Sequence, residues 1–340
     1  MSFARFIVGN KLGTTIAELS PDIGTVSWRL NKVGVVDFSI AVTDPKATED
    51  NLKYGNRVLI EFSNGLPGWG GVIDPPRKWD GSNIVCRAYS GAYLFDYRIT
   101  DKGRYFSGAS AGTIFQSLIQ ETNAVEDTGV DIGNIYTGGS GHSPSYHYKN
   151  LLDIFQKSLT NRLSTSDFDF IPSESGGEII FTARFYESKG IDRTQLALTQ
   201  GANLTRIKLI EQGPIINSWD VAGEGSNWGS DRLTAQEQNA DSISLYGLRQ
   251  GSKIYSDVSI QGTLDDHAEN LLDDSENPYN IFELEVADKL PAKFADYDLG
   301  DTVSLVAPDY GFAGTKTTVR ILDRSYDPSN GLCDLVVQEV

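Results

Sequence analysis

The amino-acid sequence predicts a mainly β fold with an α+β insert, in which two similar β-barrel domains flank a central helix-and-hairpin domain. Three observations carry this expectation. Apolar and polar residues alternate along most of the chain, as in half-buried strands. An approximate repeat links the two ends. Between those ends, two segments place their apolar residues at helical spacing. The domains are expected at 1–105, 106–205 and 206–340. With 340 residues, 22% charged and 39% hydrophobic, the chain can bury two or three cores.

The strands are plain in Val35-Val36-Asp37-Phe38-Ser39-Ile40-Ala41-Val42, Arg57-Val58-Leu59-Ile60-Glu61-Phe62 and Glu178-Ile179-Ile180-Phe181-Thr182-Ala183. They recur in Phe282-Glu283-Leu284-Glu285-Val286 and Thr302-Val303-Ser304-Leu305-Val306. Asp80-Gly81 and Asn330-Gly331 stand between strand-like runs and predict hairpins. Ser110 is a candidate N-cap for a helix over Ala111 to Thr122, with Ile114, Leu118 and Ile119 as its apolar stripe. Leu151, Leu152, Phe155 and Leu159 repeat that spacing before Arg162, as do Leu264, Ala268, Leu271 and Leu272 in an acidic stretch.

The repeat sets Phe38–Val42, Tyr54–Phe62, Gly71–Asp74 and Asn83–Cys86 against Phe282–Val286, Leu299–Val306, Arg320–Asp323 and Leu332–Val336. Val42 to Gly55 is 13 positions and Val286 to Gly300 is 14. The loop before the third strand differs more: 16 positions from Val58 to Asp74 against 20 from Val303 to Asp323. Four elements in matched order favour two copies of one small barrel or sandwich. Gly55 and Gly300 stand where a loop turns sharply into a strand, a place that favours positive φ. Cys86 and Cys333 fall on the last strand of each copy and are expected to be buried, inert thiols.

Charge excludes one large class of partners. The net charge is −17, so sequence-specific nucleic-acid binding, which needs clustered Lys and Arg, is not expected. The charge is uneven: residues 1–105 sum to +2 and residues 206–340 to −14. The first apolar stretch, Phe6-Ile7-Val8, is too short for a signal peptide, and no run approaches the ~18 apolar residues of a membrane helix. A soluble chain folding in a cytoplasm, without membrane insertion, is the expectation.

Catalytic patterns are weak. Gly223-Glu224-Gly225-Ser226-Asn227-Trp228-Gly229 has its third glycine one place late for a dinucleotide loop, and Glu224 would repel phosphate. His142 and His147 share a Gly/Ser/Tyr loop without an acidic or Cys neighbour to complete a site. Asp265, Asp266, Glu269, Asp273 and Asp274 lack the glycine and ligand spacing of a calcium loop and fit a solvated helix face. Asp167-Phe168-Asp169-Phe170 is strand alternation, although two such carboxylates could serve a glycosidase. Catalytic, cofactor-binding and metal residues are therefore all assigned as none, and no enzyme is expected.

Other segments carry a family likeness. They are Trp69-Gly70-Gly71-Val72-Ile73, Val85-Cys86-Arg87-Ala88-Tyr89-Ser90-Gly91 and Tyr93-Leu94-Phe95-Asp96-Tyr97-Arg98-Ile99. A helix start at Gly108–Gly112 follows, then Tyr246-Gly247-Leu248-Arg249 and Asp298-Leu299-Gly300-Asp301. In this order of modules the chain resembles the central baseplate hub proteins of tailed bacteriophages, the minor tail proteins of long-tailed siphophages in particular. The resemblance implies a homotrimeric ring with two tube-like domains per subunit, located in the virion tail. It also implies a distal tail protein or tail-tube ring above, a tip spike or fibre below and a tape measure protein in the lumen. Three copies of two similar modules would let a threefold tip match a sixfold tube. The genome would pass along a lumen lined mainly by acidic or neutral side chains, which repel DNA only near contact at a Debye length of about 8 Å. The competing expectation is a carbohydrate- or receptor-binding tail protein or a cell-wall glycoside hydrolase, for which Trp28, Trp69, Trp79, Trp219 and Trp228 are the candidate aromatics.

Overall fold

A computed structural model describes residues 3–101, 103–139, 141, 143–160, 166–213, 215–225, 232–256, 258–307 and 316–340. The fold is mainly β. Its first seven strands are β1 (Phe3–Gly9), β2 (Thr15–Leu19), β3 (Asp22–Arg29), β4 (Val35–Ala41), β5 (Arg57–Phe62), β6 (Trp69–Trp79) and β7 (Asn83–Ser90). They pair in the order β3-β4-β7-β6-β5-β1-β2. Alternate residues of β4 (Val36, Phe38, Ile40), β5 (Val58, Ile60) and β7 (Cys86, Ala88) turn inward with Phe6, Val8 and Trp69. The rings of Phe6 and Phe38 lie 4.9 Å apart although four strand spacings of about 4.8 Å separate β1 from β4 along the sheet. The sheet is therefore curled onto its own apolar face.

The middle of the chain contributes β8 (Arg104–Tyr105), α1 (Ala111–Val125), β9 (Val130–Ile135), β10 (Ser145–Tyr146), α2 (Leu151–Ile154), β11 (Asp167–Ser175) and β12 (Glu178–Tyr186). The Ser110 hydroxyl accepts from Thr113 N, and Ile114, Leu118 and Ile119 are buried, as the sequence predicts. Beyond α2 the chain continues as a π turn over Phe155–Leu159, which keeps Phe155 and Leu159 on the buried side. β11 and β12 form a hairpin and β9 joins β12 in parallel. Phe115 sits among Phe155, Phe168 and Phe185 at ring separations of 4.6, 5.7 and 5.3 Å.

Next come β13 (Asp192–Thr199) and β14 (Leu204–Gln212), then β15 (Ser218–Ala222), β16 (Thr234–Gln238), α3 (Ala240–Tyr246), β17 (Gln250–Ile254) and α4 (Gln261–Ser275). The chain ends in β18 (Tyr279–Ala287), β19 (Thr302–Val306), β20 (Thr317–Asp327) and β21 (Leu332–Glu339). Contacts divide the described residues into two compact units, one of them formed by Leu209–Ile281 and the other by those of 3–160, 166–208 and 282–340. Within Leu209–Ile281, β16-β15-β17 is a small sheet, and Leu264 and Ala268 of α4 pack on Val221. That unit holds 3 Lys or Arg against 13 Asp or Glu, so it carries most of the acidity of residues 206–340.

β18, β19, β20 and β21 are the second copy of β4, β5, β6 and β7. The first set pairs as β4-β7-β6-β5 and the second as β18-β21-β20-β19. β3 flanks β4 as β14 flanks β18, so five strands match in order. Neither set closes into a barrel. β3 and β2 bound the first run, and β3 gives its outer edge to β20 through Val26–Arg29 opposite Asp323–Tyr326. The two runs thus share one 13-stranded sheet where two closed barrels were expected.

Candidate functional site

Hydrogen bonds fix the equivalence of the copies residue by residue. Gly55 and Gly300 both have φ of 87°, the left-handed conformation that favours glycine. Gly55 N donates to Ile73 O and Ile73 N to Asn56 O; Gly300 N donates to Ile321 O and Ile321 N to Asp301 O. Ile73 therefore corresponds to Ile321, one place earlier than the sequence repeat suggests. A register shift between Ile321 and Asp323 takes up the difference.

The copies differ where an arginine leaves the sheet. Arg57 pairs with Val72, and at the corresponding rung Thr302 pairs with Arg320. Arg57 is buried; its Nε donates to Lys11 O (3.2 Å), Nη1 to Gly129 O (3.1 Å) and Ile179 O (2.9 Å), and Nη2 to Thr128 O (2.7 Å). Burial lowers its pKa from the usual arginine value, against the pull of Asp127, Glu178 and Asp131. Arg320 donates to Asp167 Oδ2 and to Lys189 O (2.9 Å). One rung, carrying its arginine on opposite strands in the two copies, thus ties each copy to the middle of the chain.

A second pair of arginines faces the loop before each glycine. Arg77 Nη1 donates to Leu52 O (3.1 Å) and stacks over Tyr54. Arg324 Nη2 donates to Tyr297 O and stacks over Tyr297. Leu52 and Tyr297 each lie three residues before the glycine. Arg324 is fully buried, with Nε and Nη1 unpartnered, whereas Arg77 is exposed.

The residues singled out from sequence do not converge on chemistry. Asp167 accepts from Asn31 Nδ2 (2.8 Å), Lys189 N (2.8 Å) and Arg320. Asp169 holds Lys189 Nζ at 2.8 Å and the Tyr186 hydroxyl at 3.1 Å from each oxygen. Both carboxylates are engaged in packing contacts. Burial opposes the Lys189 charge, but Asp169 and Asp298 outweigh it and raise its pKa. His147 Nε2 lies 2.7 Å from the Ser145 hydroxyl and its ring is edge-on to Tyr105. His142, Arg162 and the Ser226–Gly229 part of the glycine-rich loop, with Trp228, lie outside the described residues. Among the described residues no group of three His, Cys, Asp or Glu could hold a metal, and no helix is long and apolar enough to cross a membrane. Burial pushes the Cys86 thiol up to about 11 and Cys333 up to about 12, so neither is a thiolate at neutral pH.

The tryptophans are dispersed. Trp69 is buried with its Nε1 on Ser27 O (2.9 Å), and Trp219 Nε1 donates to Ser275 Oγ (2.8 Å). Trp28 borders a cavity of about 140 Å³ that Lys189, Asp169 and Asp298 also line. Trp79 is 73% exposed. An aromatic cluster that sequence reasoning missed lies at Tyr89, Tyr93 and Tyr97. The Tyr89 and Tyr93 rings stack at 4.3 Å, and the Tyr93 hydroxyl meets Asp74 Oδ2 (2.7 Å) and the Tyr97 hydroxyl (2.8 Å). Their i, i+4 spacing in Tyr89-x₃-Tyr93-x₃-Tyr97 was the available signal.

No family model and no curated protein matches the chain. Solved structures do. The prophage MuSo2 43 kDa tail protein from Shewanella oneidensis superposes with a TM-score of 0.63 at 12% identity, over 99% of this chain and 98% of that one. The prophage tail protein gp18 from Listeria monocytogenes EGD-e gives 0.61 at 14%, over 98% and 94%. The fold is that of phage tail proteins. A chain of the phage P2 baseplate in its activated conformation with Ca has the same architecture at a TM-score of 0.51 and 9% identity, over 98% of each chain. At such identities it is the fold that is shared.

Proposed function

We propose that the chain is a structural hub of a phage tail tip, three copies of which form a ring between the sixfold tail tube and a threefold tip. The observation that carries this function is the duplicated strand order, β3-β4-β7-β6-β5 and β14-β18-β21-β20-β19. Three chains with two such modules present six similar surfaces while remaining threefold. The modules take residues 1–105 and 206–340, with 106–205 as the central domain; Leu209–Ile281 is an insertion into the second module. The partners would be a distal tail protein or tube ring, a spike or fibre, and a tape measure protein inside. The genome passes through the lumen without sequence-specific contact. The place of action is the virion tail, and the role is not enzymatic.

Reconstruction of assembled tails by cryo-electron microscopy tests this function. Three copies around a central channel are expected. A map with the chain on the tail periphery, or with no ring, overturns it. A second function, glycan or receptor binding, draws on the Tyr89–Tyr93–Tyr97 cluster beside Asp74, since the exposed Tyr97 ring beside a stacked, half-buried pair suits a sugar face. A glycan-array signal that Tyr97→Ala abolishes would favour it over the hub.

A further inference from the structure

The equivalence of the two copies exposes a place where one of them lacks a strand. On the edge of β20 away from β21, the first half pairs with β19 and the second half, Asp323–Tyr326, pairs with β3. On the matching edge of β6, the first half, Trp69–Val72, pairs with β5. Its second half, Asp74–Trp79, has no strand there among the described residues.

Side chains record the difference. Trp79 stands opposite Ile84, and Tyr326 opposite Cys333. Ile73 opposite Ala88 and Ile321 opposite Val337 set the register, so Ile84 corresponds to Cys333 and Trp79 to Tyr326. Tyr326 is 2% exposed under the β3 junction; Trp79 is 73% exposed. Arg324, opposite Trp28 of β3, is fully buried, whereas Arg77, which also meets a carbonyl three residues before the glycine, faces solvent. A tryptophan and an arginine left bare at positions buried in the sister copy mark an unoccupied interface.

The missing strand also has a counterpart. β3 flanks β4, and in the second copy its place beside β18 is held by β14. β14 ends the sheet; Leu204 bridges to Gln200 at its start, and beyond that no strand pairs with its outer edge among the described residues. One chain therefore carries both halves of a junction that it already makes once internally. We infer that β14 of one copy adds antiparallel to the Arg77–Trp79 edge of β6 in a second copy, as β3 adds to β20 within the chain. This interface rests on the proposed ring and specifies how its subunits join.

Pro75 and Pro76 have no N–H to give, so strand addition is confined to Arg77, Lys78 and Trp79. Such an edge resists indiscriminate pairing yet leaves the outward N–H groups of Arg77 and Trp79, two donors, for a partner of the right register. The contact is heterologous, head to tail, and three internal junctions alternate with three between chains.

Photocrosslinking in assembled tails tests this interface, with Trp79→p-benzoylphenylalanine in the full chain and peptide mapping of the products. The expected product joins position 79 of one copy to residues 204–212 of another, with species of up to three copies. If lysine crosslinking gives three-copy species while position 79 reaches only another protein or another segment, the strand pairing is overturned and the ring stands. If neither chemistry yields multi-copy species, the ring itself is overturned.

Discussion

Arg57→Met removes a buried guanidinium but keeps most of the volume of its stem. Four carbonyls, those of Lys11, Thr128, Gly129 and Ile179, then lose their donor. Charge-assisted hydrogen bonds contribute about 1.5–3 kcal/mol each, but bonds sharing one guanidinium are not additive. Recovering the desolvation penalty of the cation offsets part of the loss, so a net loss of about 3–5 kcal/mol is expected. Arg324→Met provides the internal comparison. Arg324 is at least as buried, yet it satisfies one carbonyl and leaves two nitrogens unpartnered, so its replacement is expected to change stability by less than about 1 kcal/mol in either direction. Urea unfolding followed by tryptophan fluorescence reads both, and hydrogen exchange over 126–131 reads the local release at Arg57. If the two variants lose equal stability, or Arg57→Met loses less than about 1 kcal/mol, the carbonyl cluster is not what holds the first copy to the middle.

The glycines of the repeat separate conformational strain from crowding. Gly55→Ala meets nothing within 4 Å and should lose only about 1–2 kcal/mol for its positive φ, whereas a Gly300 Cβ would lie 2.3 Å from Lys189 O and should lose clearly more; paired denaturation curves decide. Burial raises the Asp323 pKa, against Lys32 and Arg29, and its Oδ1 has no partner. The folded state then holds this proton more tightly than the unfolded state, so its contribution to stability falls as pH rises from the unfolded carboxylate value through the raised folded one. Asp323→Asn should flatten that slope and stabilise the chain at neutral pH, as thermal melts between pH 3 and 8 would register. Cys86 and Cys333 should resist a thiol reagent in the native chain and react only on unfolding; rapid native labelling of either would contradict their burial.

Elements with local chemistry were legible in the sequence. Asp80-Gly81 and Asn330-Gly331 turn as hairpins, with Gly81 and Gly331 at positive φ. Ser110 caps α1, and the alternating runs became strands. α3 was not legible, because seven residues, Ala240–Tyr246, are too few to establish a helical period, and its cap, Asn239, looks like any loop asparagine. The compact unit Leu209–Ile281 left no break in composition beyond its acidity. The union of the two runs through β3 and β20 was invisible because backbone pairing between distant strands leaves no periodic trace. Arg57 opens an alternating run in the sequence, with nothing local to mark its side chain as buried. Its signal lay in the repeat, where an arginine stands at the place of Thr302.

Duplication explains why the informative residues are those where the copies disagree. Positions that agree, such as Gly55 and Gly300 or Ile73 and Ile321, maintain the strand plan and say nothing about surroundings. At one rung Arg57–Val72 becomes Thr302–Arg320, and the two arginines hold different residues of the middle of the chain. Arg57 holds the carbonyls of Thr128, Gly129 and Ile179, and Arg320 the Asp167 carboxylate and the Lys189 carbonyl. At another, the exposed Trp79 becomes the buried Tyr326 because one copy has its neighbour within the chain. Charge follows the same logic. Residues 1–105 are close to neutral, residues 282–340 hold 5 Lys or Arg against 11 Asp or Glu, and Leu209–Ile281 holds 3 against 13. In the proposed ring, replacing the exposed carboxylates of α4 (Asp265, Asp266, Glu269 and Asp273) with amides weakens the repulsion of DNA and should slow genome passage while leaving tail assembly intact, and ejection kinetics unchanged by the substitution would refute an acidic lining from this unit.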